Sequence, residues 1–199
     1  KAGLVFHHSH ADSGERAVTA MMKELALHVL DIAENSVRGE ASHIGITITE
    51  DRRNNRFAME IDDDGKGISP EILNTIKDPF TTTRTMRKVG LGIPFLDDTC
   101  RLCNGHLDLK STVGLGTRLS AEMEYDHIDR PPLGDMAATL MVLMSSHPDI
   151  AFTYRHIVDD VEFSEPSEFE ISSGDLEDIL DGVPLTTPKV YKWVKTYLE

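Results

Sequence analysis

The segment EIDDDGKGISPE, residues 60–71, places three aspartates directly before a Gly-Lys-Gly sequence. Counted from Glu60, the residues Asp62, Asp64, Gly65 and Glu71 match the spacing of an EF-hand calcium loop. An EF-hand also requires a helix on each side of the loop, whereas the residues that enter this one, RFAMEID, alternate apolar and polar side chains as a strand does. The sequence therefore favours a loop at the end of a strand over a calcium site.

The elements around this loop predict a mixed fold over residues 22–125. Before the loop, MKELALHVLDIAENSVR has the apolar stripe of an amphipathic helix, and HIGITIT alternates like RFAMEID, so the latter two segments predict a strand pair. After the loop, SPEILNTI and LGIPFLDDTCRLCN predict helices, and GHLDLKST and TRLSAEMEY predict two strands joined by a glycine turn. This order predicts an α+β two-layer sandwich with a mostly antiparallel sheet.

Residues 126–199 differ in composition from the segment before them. They open with a Pro-Pro linker and carry 15 acidic against five basic residues. A Met-rich helix, a strand and two further helices, SGDLEDIL and TPKVYKWVKTYLE, predict a small acidic α+β domain. Met136, Met141 and Met144 are expected in its core, with an adaptable partner surface as the alternative. Trp193 is expected to pack this domain onto the first one or to lie at an interface.

Composition disfavours several classes of protein. The chain has 199 residues and a formal net charge of -14, which repels phosphate backbones and disfavours nucleic-acid binding. It has no run of 18 apolar residues, so no membrane span is expected. Cys100 and Cys103 form a CxxC pair for which core packing is expected over a redox or metal role, and this cysteine usage favours a reducing cytoplasm. Residues 1–21 show no sustained period and are expected to be a leader or a cloning remnant.

The first helix and the glycines point to phosphate chemistry. Asp31 and Asn35 are four residues apart and share a helix face, where the asparagine could bind Mg²⁺ and the carboxylate could polarise a water or hydroxyl. Glu34 is a competing candidate for the second role, although helix geometry turns it away from Asn35. Glycine clusters at 65–67, 90–92 and 114–116 permit close backbone approach, but none fits the Walker A or GxGxxG pattern.

Taken in order, these segments resemble the GHKL superfamily of ATP-binding domains, which histidine kinases, anti-sigma-factor serine kinases, MutL, type II topoisomerases and Hsp90 share. LDIAENSVR resembles its N-box, DDDGKGI its G1 box, DPFTTT its F-box, VGLGI its G2 box and GLGT its final box. The resemblance implies the Bergerat fold over residues 22–125, with ATP held under a mobile lid at residues 81–89.

The resemblance also implies roles for individual residues. Asp64 would accept a hydrogen bond from the adenine amino group, Gly67 would make room for the ring, and Thr117 would support Asp64. Asn35 would bind Mg²⁺, and a positive patch in the lid would attract the phosphates. The full set of implied contacts with Mg-ATP comprises Asn35, Arg38, Asp64, Gly65, Gly67, Phe80, Thr81, Thr82, Arg84, Arg87, Lys88, Gly90, Leu91, Gly92, Gly116 and Thr117.

The resemblance leaves two functions open. Asp31 stands where related ATPases and serine kinases carry a glutamate base, whereas histidine kinases usually carry asparagine there. Residues 1–21 contain no segment that could form the helical hairpin of a histidine kinase, so phosphotransfer to a separate protein partner is expected. The alternative is an ATP-gated interaction switch, or a slow ATPase, for which a homodimer formed with ATP would be diagnostic.

Overall fold

The computed structural model describes residues 23–77, 92–162, 164–185 and 187–198. The helices within these ranges are α1 Leu25–Arg38, α2 Pro70–Lys77, α3 Gly92–Leu102, α4 Met136–Ser146, α5 Ser173–Leu180 and α6 Pro188–Leu198. The strands within the same ranges are β1 His43–Asp51, β2 Arg56–Asp63, β3 His106–Thr112, β4 Gly116–Glu124, β5 Ala151–Asp159 and β6 Ser167–Ser172. None of these helices combines the length and the apolar character that crossing a membrane requires.

The six strands form one sheet in the order β3-β4-β2-β1-β5-β6. β1 and β5 run parallel, and every other neighbouring pair is antiparallel. In the β1–β2 hairpin, Ile46 lies opposite Ile61 and Ile48 lies opposite Met59, so the apolar side chains share one face and fix the register. The four strands predicted between residues 43 and 125 are confirmed, as is the α+β class.

Helices α1 and α3 pack on one face of the sheet, and the other face is polar. On the covered face, Ile46, Met59 and Leu119 belong to one buried cluster with Val29 of α1 and Leu96 of α3. Full burial of such a side chain contributes roughly 1.5–3 kcal/mol. The opposite face carries ion pairs between neighbouring strands, namely Arg56–Glu122, Glu60–Arg118 and Arg155–Glu168. The strand alternation therefore produces the two layers that the sequence predicts.

The chain beyond residue 125 continues this same sheet. β5 pairs with β1 along its whole length, and α4 packs against α1. The backbone amides of Leu25 and Ala26 donate to the carbonyls of Pro132 and Leu133, at 3.0 and 2.8 Å. The segments on both sides of residue 125 therefore contribute strands to one sheet, and the division into two domains at this residue stays a prediction.

The three methionines of this second half follow the expectation of core packing. Met136, Met141 and Met144 are buried in the hydrophobic cluster. Trp193 is 39% exposed and stacks on Tyr197, with ring centroids 5.2 Å apart.

The strand β6, sequence SEFEIS, was not predicted, because its two glutamates face solvent at the edge of the sheet and leave only a short apolar pattern.

The two cysteines are free and fully buried in the hydrophobic cluster. Burial raises the pKa of the Cys100 thiol to about 12 and raises that of Cys103 as well. Because the thiolate is the reactive form, both groups are suited to packing, as the sequence predicts, and not to thiol chemistry.

Candidate functional site

A cavity of about 290 Å³ lies between α1, the loop after β2 and the helix-covered ends of β3 and β4. Most of its wall is apolar, and its polar groups come from α1 and from the ends of β2 and β4. It is lined by Ile32, Asn35, Ser36, Arg38, Gly39, Ile61, Asp63, Gly67, Ile68, Ser69, Ile72, Ile93, Leu109, Thr117 and Leu119. An apolar wall with a few fixed polar groups suits a flat organic ring.

Asp63 is the acid that faces this cavity. Its Oδ2 accepts a hydrogen bond from the Ser36 hydroxyl at 2.6 Å. Its Oδ1 accepts from the backbone amides of Gly65 at 2.9 Å and Thr117 at 3.2 Å. A carboxylate has about four acceptor positions, so the described residues occupy three and leave one for a ligand. The carboxylate is thereby held in one orientation by α1, by its own turn and by β4.

Asp64, which the sequence analysis placed against the ligand, lies on the outer side of the turn. It does not line the cavity, and its carboxylate accepts from the Ser42 amide at 2.7 Å, the Ser42 hydroxyl at 2.5 Å and the His43 amide at 2.8 Å. These donors, with the Ser42 hydroxyl contributing most, lower the pKa of Asp64 to about 2. The structure thus corrects the predicted position of Asp64.

Strand alternation explains the correction. Phe57, Met59 and Ile61 point into the core from β2, and the next residue in that series is Asp63. The alternation that predicts this strand therefore also places Asp63, and not Asp64, on the covered face of the sheet.

The same geometry removes the basis for a calcium loop. A strand, β2, and not a helix enters the segment, and Asp62 points to the open face of the sheet beside Gly45. The described residues contain no group of three His, Cys, Asp or Glu side chains arranged to hold a metal ion. The three consecutive aspartates have three different surroundings.

Two glycines bring other parts of the backbone close to the site. Gly67 has a φ of +68°, and a Cβ at this position would lie 2.2 Å from the carbonyl oxygen of Thr112. A Cβ on Gly92, the first residue of α3, would lie 2.1 Å from Asp31 Oδ2. Both glycines therefore allow close approach between parts of the protein: the loop after β2 against β3, and α3 against α1.

The first helix carries buried polar atoms that lack partners among the described residues. These atoms are His28 Nδ1, Asp31 Oδ2 and Asn35 Nδ2. Burial lowers the pKa of His28, although a hydrogen bond to the Gly92 backbone and the charge of Asp31 act in the opposite direction. Unpaired buried polar atoms are costly unless a ligand, a water or an ion pairs with them, so this part of α1 fits a polar ligand.

Glu34, the alternative to Asp31, faces a different element. His147 Nε2, at the end of α4, lies 2.9 Å from Glu34 Oε1. The structure therefore uses Glu34 to link α1 to α4, and Asp31 is the carboxylate that lies against the start of α3.

The remaining predicted contacts divide into two groups. Arg38 lines the cavity with an exposed side chain, Gly65 is buried in the turn after β2, and Gly116 is buried as the first residue of β4. Thr117 lines the cavity and bonds Asp63 instead of Asp64. The predicted contacts that lie outside the described residues are Phe80, Thr81, Thr82, Arg84, Arg87, Lys88, Gly90 and Leu91.

Sequence reasoning missed two hydroxyl groups besides Asp63. Ser36 donates to Asp63, and its spacing of four from the cavity residue Ile32 was the available signal. Ser111 Oγ lies 2.9 Å from Thr117 Oγ1 and accepts from the Ile68 amide at 2.7 Å. Nothing in the local sequence marks Ser111, because its partners lie on another strand and another loop.

Comparison with known families identifies the domain. Residues 18–127 match the family described as histidine kinase-, DNA gyrase B-, and HSP90-like ATPase. The match covers more than half of the 199 residues, and the chain belongs to this family. Membership confirms the GHKL resemblance and supports ATP as the ligand.

Individual relatives are more distant. Over 81 residues, or 38% of this chain, it is 28% identical to the autoinducer 2 sensor kinase/phosphatase LuxQ of Vibrio cholerae serotype O1, and the match spans 10% of that protein. Among solved structures, the N-terminal domain of a DNA repair protein has a TM-score of 0.46 at 16% identity, covering 75% of this chain and 52% of that one. The Aquifex aeolicus MutL ATPase domain complexed with ADP has a TM-score of 0.40 at 11% identity, covering 86% and 68%.

Proposed function

We propose that this family member binds Mg-ATP with the adenine ring in the cavity beside Asp63. The observation that carries the proposal is the Asp63 carboxylate, which three donors hold in place and which keeps one acceptor position for a ligand in an otherwise mostly apolar cavity. The 6-amino group of adenine can donate to that position, whereas the O6 atom of guanine cannot. We therefore expect ATP to bind more tightly than GTP, and equal affinities in a titration would contradict the role given to Asp63.

Asn35 is the residue proposed to hold Mg²⁺. Its side chain lines the cavity, and an amide side chain can present its carbonyl oxygen to a cation. Mg²⁺ prefers oxygen ligands and completes its shell with waters and phosphate oxygens. When bound, the ion would neutralise charge on the phosphate groups.

Asp31 is proposed as the general base. Its Oδ2 is buried and accepts no hydrogen bond from the described residues, whereas Glu34 is bound to His147. A carboxylate in this state can accept the proton of an attacking water or hydroxyl. In phosphotransfer, the acceptor of a partner protein would lose its proton to Asp31, bond to the γ-phosphorus, and release ADP as the leaving group.

The substrate of this transfer is proposed to be a protein in the cytoplasm. The net charge of -14 repels nucleic-acid phosphates, which disfavours a nucleic acid as the acceptor.

A second candidate, an ATP-gated switch, is favoured by the position of Gly92. Asp31 Oδ2 lies against this first residue of α3, so any shift of the Asp31 carboxylate acts on the start of that helix. A base packed in this way is suited to coupling nucleotide binding to a movement of α3. In that case the protein would hydrolyse ATP slowly or not at all and would dimerise with ATP but not with ADP.

The experiment that separates the two candidates follows the γ-phosphate. The full chain is incubated with γ-labelled ATP, Mg²⁺ and an extract of its own source, next to Asp31→Asn and Asn35→Ala, with Glu34→Gln as the matched control. For phosphotransfer, label moves to a protein, Asp31→Asn slows the transfer by about 10²- to 10⁴-fold, and Glu34→Gln has little effect. Acid-stable label would indicate a Ser or Thr acceptor, and acid-labile label a His acceptor.

Other outcomes of the same experiment have definite meanings. Label that appears only as inorganic phosphate, or stays on ATP, supports the switch. Loss of transfer in Glu34→Gln with full transfer in Asp31→Asn would contradict the role given to Asp31.

A further inference from the structure

The hydroxyl of Ser36 stands between α1 and the cavity acid. Ser36 is 7% exposed, lines the cavity and directly follows Asn35. Its single hydrogen has two acceptors in reach: Asp63 Oδ2 at 2.6 Å and the carbonyl oxygen of Ile32 at 3.4 Å. The shorter contact ends on a charged acceptor and has the better distance, so the hydrogen lies on the Asp63 side.

This hydrogen bond determines what the Ser36 side chain offers to a ligand beside Asp63 Oδ2. Once Ser36 donates to Asp63, its oxygen offers only lone pairs to the cavity. The neighbouring amides of Gly65 and Thr117 are both committed to Asp63 Oδ1. A ligand atom that reaches Asp63 Oδ2 therefore finds the Ser36 oxygen beside it as an acceptor and not as a donor.

We propose that Ser36 is a specificity-determining residue that acts through Asp63. By fixing the carboxylate and withholding its own hydrogen from the ligand, Ser36 makes the cavity select a base with an amino group and reject one with a carbonyl oxygen in the same place. The inference rests on the proposed binding of a nucleotide base in this cavity. It goes beyond that proposal because it assigns the selectivity to a hydroxyl on α1 as well as to the carboxylate.

Removal of the hydroxyl has a directional consequence. In Ser36→Ala, Asp63 Oδ2 loses one donor and gains a second empty acceptor position, and the space of the hydroxyl admits a water. Such a water can donate to the carboxylate or to a carbonyl oxygen of the ligand, whereas the Ser36 hydrogen is committed. Binding of an amino base should weaken, and binding of a carbonyl base should not.

The test compares ATP with inosine triphosphate, which carries O6 in place of the amino group. Dissociation constants are measured by titration calorimetry on the full chain for Ser36→Ala, for Ser36→Thr, which restores the hydroxyl, and for Ser42→Ala. Ser42 is the matched control, because it donates to the adjacent Asp64 at 2.5 Å outside the cavity. We expect Ser36→Ala to lower the preference for ATP over inosine triphosphate about tenfold, Ser36→Thr to restore most of it, and Ser42→Ala to leave it unchanged.

Several outcomes would overturn the inference. Equal weakening of both nucleotides in Ser36→Ala would reduce Ser36 to a structural residue, and an unchanged preference would remove its role altogether. If Ser36→Ala does not fold, as judged by circular dichroism, Ser36→Cys replaces it, and this weaker donor must also lower the preference. Wild-type protein that binds neither nucleotide would defeat the proposed function itself, whereas a wild-type preference for ATP that survives all Ser36 variants would defeat only the inference about Ser36.

Discussion

Two neighbouring aspartates, Asp63 and Asp64, lie at the turn after β2 and accept hydrogen bonds from similar groups, but their carboxylates face different surroundings. On the cavity side, Asp63 accepts from one serine hydroxyl and two backbone amides and keeps one acceptor position toward the cavity. On the outer side, Asp64 accepts from the Ser42 hydroxyl and from the backbone amides of Ser42 and His43, where the chain enters β1. The number of donors is the same, so the difference lies only in what each carboxylate faces.

Hydrogen bonding alone therefore does not identify a functional acid. The pKa of Asp64 is lowered to about 2, yet Asp64 does not line the cavity. A perturbed pKa marks a functional residue only when a ligand can reach the group. The following predictions test the division of roles, starting with the largest expected effect.

The first prediction concerns nucleotide affinity. Asp63→Asn replaces a carboxylate oxygen by an amide and weakens the contact with an amino group, so ATP affinity should fall about 10- to 100-fold. Asp64→Asn, the matched control, should change ATP affinity by no more than about twofold. Titration calorimetry at pH 7 measures both. A large loss in Asp64→Asn with little change in Asp63→Asn would reverse the assignment made from the structure.

The second prediction concerns Glu50, an acid that lies on the same helix-covered face of the sheet as Asp63 but does not line the cavity. Glu50, on β1, accepts hydrogen bonds from Arg52 at 2.9 Å, Tyr125 at 3.0 Å and His156 at 3.2 Å. The His156 hydrogen bond, with those of Arg52 and Tyr125, lowers the pKa of Glu50 from 4.5 to about 2 despite its burial. Its donors are thus all internal, as for Asp64.

Because the folded-state pKa of Glu50 lies below the unfolded value, its stabilisation is fully present above about pH 4.5 and is lost as the pH falls toward 2. Glu50→Gln should lower the free energy of unfolding by about 1–3 kcal/mol at pH 7 and flatten its decline between these two pH values. ATP affinity should stay unchanged. Urea unfolding at several pH values checks the first part, and an undiminished acid dependence in Glu50→Gln would show that other carboxylates carry it.

Part of the fold and of the candidate site can be predicted from local patterns in the sequence. Alternation fixed the four strands from 43 to 124, and the spacing of Asp31 and Asn35 placed both on one stripe of α1, because these patterns are local. The same alternation places Asp63, and not Asp64, on the covered face of β2, so the signal for the acid that faces the cavity was present in the sequence.

The rest depends on contacts between distant segments. β5 joins β1 across about 100 residues of chain, and Ser36 reaches Asp63 across 27 positions. Glu34 and His147 are likewise paired between α1 and α4. The periodicity within one segment does not encode such a partner. The single six-stranded sheet and the hydrogen bonds of Asp63 are therefore seen only in the structure.

The third prediction concerns the structural role of Asp64. Its carboxylate ties the end of β2 to Ser42 and His43, so Asp64→Asn should lower the melting temperature by about 2–4 °C at pH 7. The pKa of Asp64 is depressed from 3.8 to about 2, so its contribution is present above about pH 3.8 and is lost as the pH falls through 2. Differential scanning calorimetry at pH 7 and pH 2 measures this loss. The wild type and Asp64→Asn should differ less at pH 2, and a constant difference would argue against an ionised Asp64.

The smallest effect is expected for Asp62, the first of the three aspartates. It is exposed on the open face of the sheet and stands opposite Arg118 of β4, away from both Asp63 and Asp64. Exposed ion pairs contribute little, so Asp62→Asn should change the free energy of unfolding by less than about 0.5 kcal/mol and leave ATP affinity unchanged. Thermal unfolding and titration calorimetry check the two parts.

Calcium provides the sharpest form of this last test, because a calcium loop would need the aspartates to act together. About 1 mM Ca²⁺ should leave the melting temperature of the wild type unchanged, since a cation stabilises a fold only if the folded state binds it. If Ca²⁺ raised the melting temperature of the wild type but not that of Asp62→Asn, Asp62 would have to turn toward its neighbours. That result would contradict the statement that strand alternation points the three carboxylates in different directions. The choice of Asp63 as the cavity acid depends on this statement.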